Sequence, residues 1–254
     1  MLLKSFDRLR RSHLWRKLGL AQTRCVHCLT PFTVGDNPGQ GGSFAPLCPD
    51  CAPLFAPFDG PRCRACALPL PMSGADEHTL LCGECLDNPP PWDGISAYGL
   101  YQGAMRDVVL RLKFSGEIPL ANLLGACLNR LTAVLTPPDA LTAVPQHPRR
   151  LHQRGFNQAH EIAAALHRLT GIPLRPELLR RTRPHILQTN LSGLERRRNA
   201  RHFFQTTHQA EGLRLWLVDD VMTTGATLRA AAQTLRDGGA RETRVLVVAR
   251  TPQD

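Results

Sequence analysis

The sequence predicts an α/β protein: a mostly parallel sheet flanked by helices, with a small four-cysteine module on its N-terminal side. Three observations carry this reading. From residue 94 onward, short apolar runs alternate with amphipathic stretches, the pattern of strands joined by crossover helices. Eight of the nine cysteines fall in four C-x-x-C pairs within residues 25–85, which is metal-ligand spacing. The string Asn88-Pro89-Pro90-Pro91 separates the two regions. The expected organisation is a basic N-terminal helix over 1–24, a double zinc-ribbon module over 25–91 and an α/β domain over 92–254.

Residues 1–24 interleave Leu, Trp and Phe with seven basic residues against one acid, and read as an amphipathic helix packed on its own protein. Residues 25–91 are rich in Cys, Pro and Gly and poor in long apolar runs, so bound metal must supply what a core does not. Beyond them, 94–101 reads as a strand, 104–114 and 120–135 as helices, and 141–144 as a buried strand. A helix over 159–169 places Ile162, Leu166 and Leu169 on one face. After an Arg-rich stretch come a short segment at Phe203 and Phe204, a strand from 215 ending at Asp219, and a helix over 225–236. Gly238 and Gly239 stop that helix, and a last strand spans 244–249.

The cysteines form two units, C-x2-C-x19-C-x2-C (Cys25, Cys28, Cys48, Cys51) and C-x2-C-x15-C-x2-C (Cys63, Cys66, Cys82, Cys85). Two such knuckles close a tetrahedron and leave no open position, so the expectation is two structural Zn2+ ions. Consecutive knuckles can pair, or the four can cross-brace; His27, between two ligands, reads as a bystander. Paired thiols of this kind imply a reducing compartment, hence a cytoplasmic protein. No window approaches eighteen consecutive apolar residues and the N-terminus lacks the features of a signal peptide, so neither a membrane span nor a leader is expected.

The chemistry concentrates in LWLVDDVMTTGAT, Leu215 to Thr227, which reads as strand, turn and helix. Unpaired N–H groups in the first turn of such a helix, with its macrodipole, suit a phosphate dianion. Gly225 lets the backbone approach that anion, and Thr223, Thr224 and Thr227 add donors. Asp219 and Asp220 would repel it, so their partners are sugar hydroxyls and a divalent cation. A ribose 5-phosphate with Mg2+ satisfies both halves. Four apolar residues, two acids, two apolar residues and T-T-G-x-T resemble the phosphoribosyl pyrophosphate (PRPP) signature of type I phosphoribosyltransferases, with Trp216 at a position usually aliphatic. The resemblance implies that Asp219, Asp220, Thr223, Thr224, Gly225, Ala226 and Thr227 bind PRPP with Mg2+. Purine-salvage enzymes of this fold carry a proton-transferring Asp where this chain has Thr223, which argues against 6-oxopurine salvage.

A second loop follows Val144-Pro145 and carries Arg149, Arg150, His152 and Arg154 before Gly155-Phe156-Asn157-Gln158 opens the next helix. Ligands of open α/β sheets sit at the carboxyl ends of the strands, so both loops should face one crevice. Pro145, Arg149 and Arg154 are the candidate pyrophosphate ligands, guanidinium groups being suited to that anion. The pattern V-P…R…R-G-F-N-Q, the segment Arg183…Gln188…Leu191…Arg196…Asn199, Leu112-Lys113-Phe114 and the cysteine ribbons together resemble the ComF family, with its ComFC-like and GntX-like competence and DNA-utilisation proteins.

That resemblance implies a cytoplasmic protein handling incoming DNA, with PRPP or a related nucleotide in its pocket and a DNA-uptake helicase as a partner. The charge pattern fits: residues 149–202 hold twelve Arg and no Lys against three acids. Such a field favours salt-sensitive, sequence-independent contact with single-stranded DNA, through Arg196, Arg197, Arg198 and Arg201 among others. Two other readings compete: an active phosphoribosyltransferase moving ribose 5-phosphate to a base or amine with release of pyrophosphate, and a PRPP sensor without turnover.

Overall fold

The computed structural model describes residues 22–33, 45–71, 80–182 and 203–252. The expected N-terminal helix falls largely on residues outside these. Its last three positions are not helical: Gln22–Arg24 form strand β1, antiparallel to β2 (Pro31–Thr33). The local cause is the knuckle, since the Cys25 N–H donates to the Thr30 carbonyl at 3.0 Å and closes the turn between the two strands.

A short helix α1 (Gly83–Asp87) follows the last cysteine knuckle. The α/β domain then runs through β3 (Gly94–Leu100), α2 (Gly103–Leu110), a π-helical turn (Arg111–Ser115) and α3 (Leu120–Thr132). It continues with β4 (Ala140–Ala143), α4 (Pro148–Arg154), α5 (Gln158–Thr170) and the antiparallel pair β5 (Leu179–Arg181) and β6 (Phe204–Thr206). Strand β7 (Arg214–Met222), helix α6 (Ala226–Asp237) and strand β8 (Glu242–Arg250) complete it. The central sheet has the order β3-β8-β7-β4 with every neighbouring pair parallel.

The apolar runs of the central strands are continuous because both sheet faces are buried. Trp216, Val218, Leu246 and Val248 point to a core shared with α2, α3 and α5. Leu215, Leu217, Val245 and Val247 point to the other, shared with Leu228, Ala231 and Leu235 of α6. Trp216 is thus an ordinary core residue. Gly125 allows α3 to approach α5, since an added Cβ would lie 2.5 Å from the Ala165 Cβ.

The cysteine segments belong to these same cores. Ala45 and Phe55 join the first, while Cys63, Cys66, Cys82, Cys85 and Trp92 join the second. Between them the chain follows edge strand β3, where the Phe58 N–H donates to the Tyr98 carbonyl at 2.9 Å. The Trp92 Nε1–H donates to the Ala65 carbonyl at 2.7 Å. A parallel sheet with one principal helix on its second face thereby gains further cover from the second four-cysteine unit, alongside Leu178, Leu179 and Phe204 of the β5–β6 pair and its approach.

Candidate functional site

Strand β7 does not stop at Asp219. Parallel pairing of Val221 with Ala249 and of Met222 with Arg250 carries it through both acids. The chain turns at 223–225, and Gly225 caps α6 with φ +76. A side chain there would be strained by the positive φ, and its Cβ would also displace the end of the Met222 side chain, whose Cε lies 2.4 Å away. The Arg229 N–H is bonded to the Gly225 carbonyl at 2.8 Å. The amides before it have no carbonyl one turn earlier in the helix and project from its first turn, the arrangement suited to an anion.

Asp219 and Asp220 each fold back on the backbone: Asp219 Oδ1 accepts from the Asp220 N–H at 2.9 Å, and Asp220 Oδ1 from the Val221 N–H at 2.6 Å. The second oxygen of Asp220, a residue only 7% exposed, lies 2.9 Å from Lys113 Nζ on the π-helical turn. Burial, and then the adjacent Asp220 carboxylate, push the Asp219 carboxyl up to about 8, against the pull of the Asp220 amide, Lys113 and Arg181. Burial is what disfavours the charge on Asp219, and a divalent cation taken up in place of the proton would offset it.

The segment after β4, expected as a loop, is helical. His147 caps α4 by accepting from the Arg149 N–H at 3.0 Å, Pro148 takes the first helical position, and Gly155 ends it at φ +78. Asn157 then ties two elements together. Its Oδ1 accepts from the Ala159 N–H at 3.1 Å, capping α5, while its Nδ2 donates to the Val144 carbonyl at 3.0 Å just past β4.

A crevice of about 590 Å3 opens between these loops, at the carboxyl ends of β4 and β7. Asp219, Asp220, Thr227, Pro145 and Arg154 line it. Thr223, Thr224 and Ala226 are exposed on the turn beside it, and Gly225 is buried there. Arg149 is exposed and lies outside the lining, whereas Arg150, one residue on, belongs to it. Lys113 and Arg181 complete a set of four cations facing two carboxylates. Burial, then neighbouring Arg150, lower the Arg181 guanidinium below its usual range, with Asp219 opposing. At the rim the Arg154 guanidinium lies 5.0 Å from the centroid of the Phe114 ring, and Phe114 is 71% exposed. Chemically the crevice suits a polyanion carried with a divalent cation.

The cysteines pair in chain order. Cys25, Cys28, Cys48 and Cys51 form one group and Cys63, Cys66, Cys82 and Cys85 the other, all sulfurs within 4.8 Å of one another in each. No disulfide joins any of them. Cys28 Sγ lies 3.7 Å from Cys48 Sγ, and Cys66 Sγ 3.6 Å from Cys82 Sγ. A tetrahedron with metal–sulfur bonds of about 2.3 Å has edges of about 3.8 Å, so the groups fit a zinc-like ion. Burial pushes the Cys85 thiol up to about 12, which makes adjacent thiolates untenable without a compensating cation. His27 stays outside the ligand group, as expected, and packs beside it: its Nδ1 lies 3.3 Å from Cys51 Sγ, its Nε2 3.6 Å from Asp107, and its carbonyl accepts from Arg111 at 2.8 Å.

No family model matches the chain. It is 34% identical over 211 residues to the DNA utilization protein YhgH of Escherichia coli O157:H7, covering 81% of this chain and 90% of that protein. The chain belongs to the ComF family. Another relative, competence protein F of Haemophilus influenzae, is 30% identical over 236 residues, 89% of this chain and 96% of its own. Among solved structures, a glutamine PRPP amidotransferase from B. subtilis, complexed with ADP and GMP, aligns at 25% identity. It covers 50% of this chain and 25% of its own, with a TM-score of 0.37.

Sequence reasoning about this ComF chain passed over Lys113, Arg150, Arg181 and Phe114 as site residues. Lys113 and Phe114 were visible only as part of the family resemblance. Arg196, Arg197, Arg198 and Arg201 lie outside the described residues. Among the described residues no helix is long and apolar enough to cross a membrane.

Proposed function

We propose that this protein binds PRPP or a related nucleotide with Mg2+ in the crevice, and acts in the uptake, transformation or nutrient use of DNA. The observation that carries it is the facing of Asp219 and Asp220, beside the amides that open α6, by Lys113, Arg150, Arg154 and Arg181. The α6 amides and Thr227 would hold the 5-phosphate, and the guanidinium groups a pyrophosphate. Asp219 and Asp220 would hold ribose hydroxyls and Mg2+, which when bound neutralises phosphate charge. The two cysteine groups would hold structural Zn2+, and their free thiols suit the cytoplasm. The role in DNA follows the relatives' names, and the Arg-rich segment that includes Arg196, Arg197, Arg198 and Arg201 would contact single-stranded DNA, with an uptake helicase as a partner.

Calorimetric titration of PRPP with Mg2+ tests the pocket: binding is expected for the wild type and lost in Asp220→Asn. For DNA, labelled single-stranded oligonucleotides should bind with an affinity that falls steeply with salt. Neutralising Arg196, Arg197 and Arg198 should flatten that dependence. A chain that binds neither PRPP nor oligonucleotide refutes the reading.

Active transfer is the second reading, and the gathering of Arg150, Arg154 and Arg181 favours it, since a departing pyrophosphate needs such stabilisation. Release of pyrophosphate from PRPP with Mg2+ and a panel of bases or amines would establish it. PRPP binding without release would leave a sensor.

A further inference from the structure

Arg250 closes strand β8 at an interior position of the sheet, paired in register with Leu100 on one side and Met222 on the other. It is 3% exposed. Its guanidinium spans two parts of the chain. Nε donates to the Cys66 carbonyl at 3.1 Å, whereas Nη1 donates to the carbonyls of Met222 at 3.0 Å, Thr251 at 2.9 Å and Thr223. Among the described residues the acceptors are backbone carbonyls, so a buried cation is compensated by peptide dipoles rather than by a carboxylate. Removing one of them leaves charge uncompensated. Only the planar fork of arginine reaches both segments at once; a lysine ammonium is a single point.

Both segments matter. Cys66 belongs to the second four-cysteine group, and Met222 and Thr223 are where the strand enters the anion loop. In a trans peptide the carbonyl of one residue and the N–H of the next point oppositely. The Met222 carbonyl also accepts from the Thr251 N–H at 3.0 Å, so the guanidinium's own hold is on the Thr223 carbonyl, and holding it fixes the direction of the Thr224 N–H.

We propose that Arg250 is a positioning residue that couples the second metal site to the anion loop. Metal at Cys63, Cys66, Cys82 and Cys85 fixes the knuckle, its Cys66 carbonyl orients the guanidinium, and the guanidinium holds the loop entry. The coupling is reciprocal, so ligand in the loop also protects the metal. This rests on the metal and phosphate readings above.

Hydrogen exchange on the full, metal-loaded chain tests it without any ligand. In Arg250→Lys the amides of 222–228 should exchange about tenfold faster or more than in the wild type. Both metals should remain bound, and exchange in α3 should be unchanged. Stripping metal from the wild type with a chelator should speed the same amides, and should add little in the variant. Wild-type exchange in a variant that keeps both metals overturns the proposal, as does an unaltered loop after stripping. Should stripping unfold the chain, the Arg250→Lys comparison decides alone. Titration of PRPP with Mg2+, carried out well below the melting temperature of both chains, gives a second readout, with weaker binding expected in Arg250→Lys. A wild type that binds no PRPP yet shows the exchange coupling removes the phosphate reading and leaves the coupling standing.

Discussion

Lys113 Nζ lies 2.9 Å from Asp220 Oδ2, joining the π-helical turn after α2 to the end of β7 across the crevice. The pair is mostly buried, with side-chain exposures of 21% and 10%. Removing the ammonium leaves the mostly buried Asp220 carboxylate without the cation it pairs with. Lys113→Met should therefore cost about 1–3 kcal/mol of stability in urea unfolding at neutral pH. Millimolar Mg2+ should recover part of that loss, because the cation takes the place of the ammonium. A variant as stable as the wild type, and indifferent to Mg2+, would show that the pair is only a surface contact.

Asp219 makes the ligand-free protein sensitive to pH. Its carboxyl is raised from the ordinary 3.8 to about 8, first by burial and then by Asp220. Between those values the folded chain keeps a proton that the unfolded chain has lost, so stability falls as pH rises from about 4 towards 8. Asp219→Asn removes the ionisation. Melting curves from about pH 5 to 8.5 should show a wild type that loses stability with pH and a variant with a flatter profile. Equal slopes would assign the titration elsewhere.

The strand, turn and helix around the two acids were legible because their determinants are contiguous: an apolar run, two acids and T-T-G-x-T. The cations that face those acids were not. Lys113 sits on a π-helical turn that no local periodicity announces, and it reaches Asp220 only through the packing of α2. Arg150 replaces Arg149 in the crevice because the segment coils into α4, and a helix rotates consecutive side chains to different directions. Strand β7 overran its expected end because Ala249 and Arg250 pair with its last residues, a long-range event. The cysteine spacing pointed to metal sites but left their pairing open, which tertiary contact resolves in chain order.

That pairing yields a stoichiometry. Elemental analysis of the purified chain should find two zinc ions, and Cys63→Ser should reduce this to one. Cys63 is fully buried against the second core, so loss of its metal should also lower the melting temperature substantially. Cys127→Ser is the control. Its thiol is buried in the first core, raised by that burial to about 12, and belongs to neither four-cysteine group, so metal content should stay at two. Retention of both ions in Cys63→Ser, or loss of one in Cys127→Ser, contradicts the assignment.

Asn157 is where the second loop is set. It caps α5 and donates to the Val144 carbonyl, so its two amide atoms fix the helix relative to β4 and thereby the position of Gln158, which lines the crevice. Asn157→Ala loses the cap and the latch together, at a cost of about 1–2 kcal/mol. Asn157→Asp keeps the capping oxygen but cannot donate to Val144, so it separates the two roles. Stability should be recovered only in its capping part in Asn157→Asp, whose second oxygen meets the Val144 carbonyl without a proton. Affinity for PRPP with Mg2+ should stay reduced in both variants, because an unlatched α5 leaves the loop's arginines misplaced. Wild-type affinity in Asn157→Asp would mean that the cap alone positions the loop.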